Sequence, residues 1–157
     1  MKFFTRELLS KINDPDANIR KQAEIEWSHN SKCYAAHFQK VQQYLPRTFI
    51  KEYMNSNGLH DYRVDSIYCT MSKTNHYSCC FELSCQDSSF AFEVRKISDF
   101  HSNIQFSEIP FVCPLFINYC EFDYLSDAKI YMGVLCNCGE MEFQFKTVHL
   151  LKRARNK

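Results

Sequence analysis

Six histidines, nine cysteines and eighteen carboxylates are the side chains of this sequence with the most chemistry in them. One stretch pairs two of these types directly: "GLHDYRVDSI", residues 58–67, sets His60 beside Asp61. That pair suits a general-base dyad, or a metal-binding imidazole backed by a carboxylate. A dyad needs a nucleophile or a bound water within hydrogen-bond reach, and no sequence neighbour supplies one. A turn asks for less. Gly58 can close a helix in the left-handed region, Leu59 can fold back onto the core, and Asp61 can accept backbone N–H bonds before a strand begins. His60 would then bridge backbone polar groups while its ring packs. We read Gly58, Leu59, His60 and Asp61 as a structural corner and assign no catalytic residue.

The thiols offer less than their number suggests. Zinc sites draw on spaced Cys/His pairs, but Cys79-Cys80 and Cys136/Cys138 lack the two- to four-residue gap. Neighbouring residues on a strand also point to opposite faces, so Cys79 and Cys80 cannot readily share an ion. We expect no metal and no cofactor, with the cysteines packed as small free-thiol hydrophobes. Cys33 and His37 lie four apart on a predicted helix and would share a face, where burial explains Cys33 better than activation does. His29 shows no such company. Three glycines build no phosphate loop, and neither a nucleophile-elbow serine nor a His-Glu-x-x-His helix is present.

Two kinds of element must position these residues. "NDPDANIRKQAEIEW" carries a helix start, with Asn13 or Asp14 as cap, Pro15 in the first helical position and Asp16 at the positive end of the dipole. Ile19, Ala23, Trp27, Asn30, Tyr34, Phe38, Val41 and Leu45 then recur at helical spacing as far as Pro46. Such a helix would be ~45 Å long, and a break near His29–Ser31 would shorten it. A second helix is expected over 48–56. After Gly58 the period drops to two in "YSCCFELSC", "SFAFEVRK" and "EMEFQFKTV", one face apolar and the other polar. Further strands are expected over 116–125 and 129–136 around a Ser126-Asp127 turn. With the strand after His60, the prediction is an α+β fold: a helical region (1–58), one of its helices long, packed on a mostly antiparallel sheet of about six strands (59–151), as a meander or small sandwich. The two regions form one compact domain, followed by a basic tail (152–157).

Net charge is +1, but unevenly spread. Residues 1–58 hold nine Lys and Arg against six Asp and Glu; residues 59–151 hold six against twelve; the tail adds four positive charges. An acidic sheet region repels phosphate backbones and suits a basic partner, so direct nucleic-acid binding is not expected. Glu121, Asp123 and Asp127 form the densest acidic stretch, with Asp99 and Glu108 nearby and Tyr124 as an aromatic anchor. The longest apolar runs, such as "FVCPLFINYC", fall well short of the ~20 residues that span a bilayer. Arg6 and Glu7 interrupt the opening residues where a signal peptide would be apolar, so a cytosolic chain is expected.

"MKFFTRELL", "LHDYRVDSI" and the closing "YLSDAKIYMGVLCNCGEMEFQFKTVHLL" resemble an uncharacterised family of small bacterial proteins. These open on Met-Lys-Tyr/Phe-Phe-Thr-Lys-Glu-Leu and carry Leu-His-Asp-Ser-x-Val-x-x-Ile at the entry to a β domain. Tyr62 stands here where that motif has Ser. The Leu-His-Asp corner on a small α+β domain is also similar to immunity proteins of contact-dependent and polymorphic toxin systems. The resemblance implies a cytosolic, cofactor-free, non-enzymatic binder of a cognate toxin C-terminal domain, a basic nuclease, whose active site it occludes. Asp99, Glu108, Glu121, Asp123, Tyr124 and Asp127 would face that partner. Two other classes compete: a small hydrolase or metal-dependent enzyme centred on His60/Asp61, and a nucleic-acid-binding module using the basic tail.

Overall fold

The computed structural model describes residues 1–86, 88–104 and 114–151, and the element counts below refer to these. Helix α1 (Arg6–Ile12) is capped by Thr5, whose hydroxyl accepts from the Leu8 amide. Seven residues carry too little periodicity to announce a helix, and α1 was not anticipated. Helix α2 (Ala17–Val41) is capped by Asp16, which accepts from the Asn18 amide at 2.7 Å, so Pro15 lies just outside the helix. Asp14 instead holds the Asp16 amide, setting the turn one residue later than expected. The helix runs 25 residues unbroken through His29–Ser31, ~37 Å at 1.5 Å per residue. Asn30 does not interrupt it, because its amide reaches outward to the Phe3 carbonyl at 2.9 Å. Only Ala23, Phe38 and Val41 of α2 are buried; in the front half of the anticipated stripe Trp27 and Asn30 are half-buried and Ile19 stays 42% exposed. A 3-10 turn over Gln42–Tyr44 leads to α3 (Arg47–Asn55).

Eight strands follow: β1 (Arg63–Met71), β2 (Tyr77–Cys85), β3 (Ser88–Ile97), β4 (Asp99–Ser102), β5 (Ile117–Tyr124), β6 (Ile130–Cys136), β7 (Gly139–Phe145) and β8 (Thr147–Leu150). They form two antiparallel sheets, ordered β1-β2-β3-β8 and β4-β7-β6-β5. Eight strands stand where six are expected: β7 and β8 divide one expected strand at Lys146, and β4 occupies the start of 98–114, a stretch whose sequence predicts irregular structure. One residue, Ser98, separates β3 from β4, and one, Lys146, separates β7 from β8. Each long strand thus crosses from one sheet to the other at a corner held by Ser98 N–H to Gln144 O and Lys146 N–H to Arg95 O. At the opposite side, Asp61 and Val64 donate to Ile117 and Leu115 carbonyls, and Arg63 bridges Phe116, so β1 is tied to β5. The sandwich is hydrogen-bonded along both seams.

Helices and sheets share one core. Phe81 stacks on Phe92 in its own sheet and meets Phe143 of the other edge-on at 5.3 Å. Phe49 of α3, fully buried, presents its ring to Phe90, Phe92 and Phe122 and so bridges both sheets. Cys79, Cys80, Cys120 and Cys136 are buried among these apolar groups as small hydrophobes. No helix among the described residues is long and apolar enough to cross a membrane.

The largest departure from expectation is Glu121. Expected on a partner-facing acidic surface because of the density of carboxylates around it, it is only 2% exposed. Its carboxylate accepts the backbone amides of Lys2 (2.9 Å), Phe3 (2.8 Å) and Phe4 (2.6 Å). In register with it across the sheet lie Gly133 and then Glu142, which accepts from the Met1 amine at 2.7 Å and from the Tyr131 hydroxyl. A methyl group on Gly133 would stand 2.8 Å from the Met1 side chain, so this glycine is the notch in which the first residues sit. Removing Glu121 strands three amides on the sheet. We expect Glu121→Ala to cost about 3 kcal/mol in urea denaturation, since each bond to a charged acceptor contributes about 1.5–3 kcal/mol before water substitutes. Hydrogen exchange should rise selectively at Phe3 and Phe4; uniform exchange with unchanged stability would contradict the arrangement.

Candidate functional site

Strand β5 is the outer strand of its sheet, and its free edge needs partners. Two helical tyrosines provide them. Tyr53 of α3 donates to the Cys120 carbonyl at 2.7 Å, and Tyr34 of α2 accepts from the Phe122 amide at 2.9 Å. Because the hydroxyls fasten the two helices to the strand while their rings hold the helix axes away from it, a cleft remains between them. It measures about 650 Å³ and is open on one side. Its walls are aromatic: Phe4, Trp27, Tyr34, Phe38, Tyr53 and Tyr119. Gln39, Gln42, Asn57 and His60 supply polar groups around the mouth. The volume lies within the range of small-ligand and side-chain pockets.

The corner forms one end of this cleft. Gly58 (φ +65°) sits between Asn57 (φ +49°) and Leu59 (φ +67°), and Asp61 is also left-handed (φ +63°). A left-handed non-glycine residue costs ~1–2 kcal/mol, and two observations hold Leu59 and Asp61 there. Leu59 is fully buried, and the Asp61 amide is bonded to the Ile117 carbonyl at 2.9 Å. The side chains differ from expectation. The Asp61 carboxylate does not cap turn amides; its Oδ2 lies 2.8 Å from His60 Nδ1. His60 does not bridge backbone groups either, for its Nε2 meets the Tyr119 hydroxyl at 3.2 Å and its ring lies edge-on to that phenol. Asp61, His60 and Tyr119 therefore make a continuous chain, extended by Trp27, whose ring is 4.4 Å from Tyr119. Burial pushes the Tyr119 phenol up, the Asp61 charge adds to this, and a hydrogen bond from Trp27 opposes it. The phenol is thus a proton donor and not a ready nucleophile.

The acidic residues do not assemble into one face. Glu121 is buried beneath residues 2–4. Asp123, half-buried, accepts from His37 Nε2 at 2.8 Å and from the Tyr124 amide. Tyr124 stacks on Tyr44 at 3.7 Å between centroids. Asp127 is exposed in the β5–β6 turn, and Asp99 is exposed on β4, where it accepts from Gln144. Glu108 and the basic tail lie outside the described residues. Glu121 and Asp123 are expected to face a partner as part of the densest acidic stretch, but α2 and the first residues cover the face they share. The Cys33–His37 pairing is likewise replaced: His37 turns to Asp123, while Cys33, only half-buried, meets His29 at 3.4 Å. Among the described residues no group of three or more His, Cys, Asp or Glu converges to hold a metal ion.

Trp27, Tyr34, Tyr53 and Tyr119 were missed as site residues. The helical stripe contains two of them, and "INYCEFDY" shows Tyr119 sharing the polar parity of Glu121 and Asp123. An aromatic on a polar face was the available signal.

No family model, curated protein or solved structure matches the chain.

The cleft phenols tie stability to alkaline pH. Burial raises Tyr53 well above its ordinary value of 10.0 and raises Tyr34 in the same direction. It also lifts the Cys136 thiol of the neighbouring core from 9.0 to about 12. Raised folded-state values mean that the stabilisation is complete below the ordinary values and is lost as pH climbs through the raised ones. Unfolding followed by circular dichroism should therefore begin above pH ~9. Tyr53→Phe should move the alkaline midpoint upward while lowering stability at neutral pH by about 1 kcal/mol, the worth of its bond to Cys120. An unmoved midpoint would exclude Tyr53 as a contributor.

Proposed function

We propose that this chain is an immunity-type binding protein that captures a cognate toxin domain, a basic nuclease, and occludes its active site. The observation that carries the binding part is the cleft itself. It is preformed, open and aromatic, and its histidine and two of its tyrosines are engaged in holding the fold together. His60 is tied to Asp61 and Tyr119, Tyr34 and Tyr53 to the β5 backbone. Aromatic side chains at the centre of a concave surface are the usual anchors of protein recognition. The sequence resemblance and the acidic balance of residues 59–151 support the choice of a basic toxin as partner. Asp127 and the half-buried Asp123–Tyr124 pair, on or beside β5, and Asp99 on the far edge of the same sheet would steer approach more than fix affinity.

The Asp61–His60 contact at 2.8 Å, continued by the His60–Tyr119 hydrogen bond, specifically favours a second reading, a small hydrolase using His60 as a proton relay. In that case no toxin complex would form, and Tyr119→Phe would abolish turnover.

The test is co-purification with the C-terminal ~200–300 residues, about one or two domains, encoded by the gene immediately upstream. Cells expressing that toxin domain should survive only with this protein present. Ala35 is exposed on the wall of the cleft, so Ala35→Arg obstructs the cleft without touching the core. We expect this variant to lose at least about tenfold in affinity, the effect of blocking one anchor pocket. Asp99→Ala with Asp127→Ala should mainly slow association and flatten its salt dependence. An Ala35→Arg variant that protects cells and binds normally would remove the cleft from the interface.

A further inference from the structure

The chemistry of the cleft selects among possible anchors. Its walls are aromatic, and an aromatic ring carries the negative pole of its quadrupole on its face. Among the described residues, neither lysine nor arginine lines it. Behind one end, outside the lining itself, lies Asp61, its exposed carboxylate 2.8 Å from Nδ1 of His60, which does line the cleft. The last turn of α3 and the residues after it, Met54, Asn57 and Gly58, form the adjoining wall, so the negative end of that helix dipole also abuts the space. Ring faces, a carboxylate and a helix C-terminus all favour positive charge, and the lining sets no cation against it. The side-chain amides of Gln39 and Gln42 add carbonyl acceptors on the α2 side.

We infer that the cleft is a receptor for a guanidinium group, an arginine side chain presented by the protein partner, stacked on the Trp27–Tyr119 wall with Asp61 as its counter-charge. Guanidinium is favoured over ammonium because it is planar, more weakly hydrated, and able to stack on a ring while its edge donates to amide and carboxylate oxygens. The inference rests on the binding reading above for its protein partner, but its chemistry can be tested without one.

Trp27 is the only tryptophan of the chain and forms part of the wall, so its fluorescence reports occupancy directly. The full chain is titrated with N-acetyl-arginine amide, with its neutral isostere N-acetyl-citrulline amide, and with tetramethylammonium. The arginine derivative should change the fluorescence saturably, and the citrulline derivative should bind about tenfold more weakly, the discrimination expected of a cation on desolvated rings. Asp61→Asn removes only the charge, since asparagine tolerates the left-handed backbone at this position. It should weaken arginine binding about fivefold and leave citrulline unchanged. Equal binding of arginine and citrulline, or no saturable change with either, would falsify the assignment; tighter binding of tetramethylammonium than of arginine would overturn the guanidinium choice. Arginine binding without any toxin complex would sink the immunity reading and leave this one standing. A toxin complex that forms while arginine and citrulline bind alike would do the reverse.

Discussion

The outer edge of β5 is the constraint on which the other parts converge. A sheet edge left bare invites further strands, and this one is closed four ways. Tyr53 and Tyr34 occupy the Cys120 carbonyl and the Phe122 amide, pinning α3 and α2. The chain between the corner and β1 pairs with residues 115–117, joining the two sheets. Glu121 turns outward from the same strand to hold residues 2–4. The cleft follows from this arrangement. Two phenols that reach past their own rings to a strand backbone keep the helices at ring distance, and the space left between them is lined by what held it open.

The corner shows the same economy. Asn57, Gly58 and Leu59 are left-handed in succession, an arrangement that only surrounding structure can sustain. The buried Leu59 side chain and the Asp61–Ile117 bond sustain it, and the outcome is an imidazole aimed at Tyr119 across the mouth of the cleft. His60 and Asp61 are therefore both scaffold and site wall. A choice between turn and working end, framed from the sequence, separates two roles that the fold gives to the same residues.

Elements with a clear period were legible. The long helix, the helix after Pro46, the alternating strands and the Ser126-Asp127 turn all stand within a residue or two of where the pattern places them. What escaped was anything decided by distant residues. The one-residue bend at Lys146 leaves the alternation almost intact, so the split of that strand between sheets cannot be seen in it. The density of carboxylates around Glu121 suggests a partner-facing surface, but a face is wet only if nothing lies on it, and here the cover comes from 117 positions earlier. Tyr119 and His60 are 59 apart, and neither residue type announces the other. The candidate site is assembled almost entirely from such long-range meetings, which is why its aromatic walls were invisible when the corner was not.

The strap over Glu121 also imposes an order of assembly. Residues 2–4 are synthesised well before their partner: the carboxylate that receives them is made 117 to 119 positions later, and Glu142 later still. During synthesis the opening segment and α1 have no docking surface until β5, β6 and β7 exist and have paired. Contacts of such sequence separation carry a large loop-closure cost and form late. Until they do, Phe3, Phe4 and Trp27 stand exposed beside an uncapped strand edge. The nascent chain therefore passes through a stage at which an uncapped edge and several large aromatic side chains are both uncovered, and it leaves that stage by docking residues 2–4 on strands made long after them.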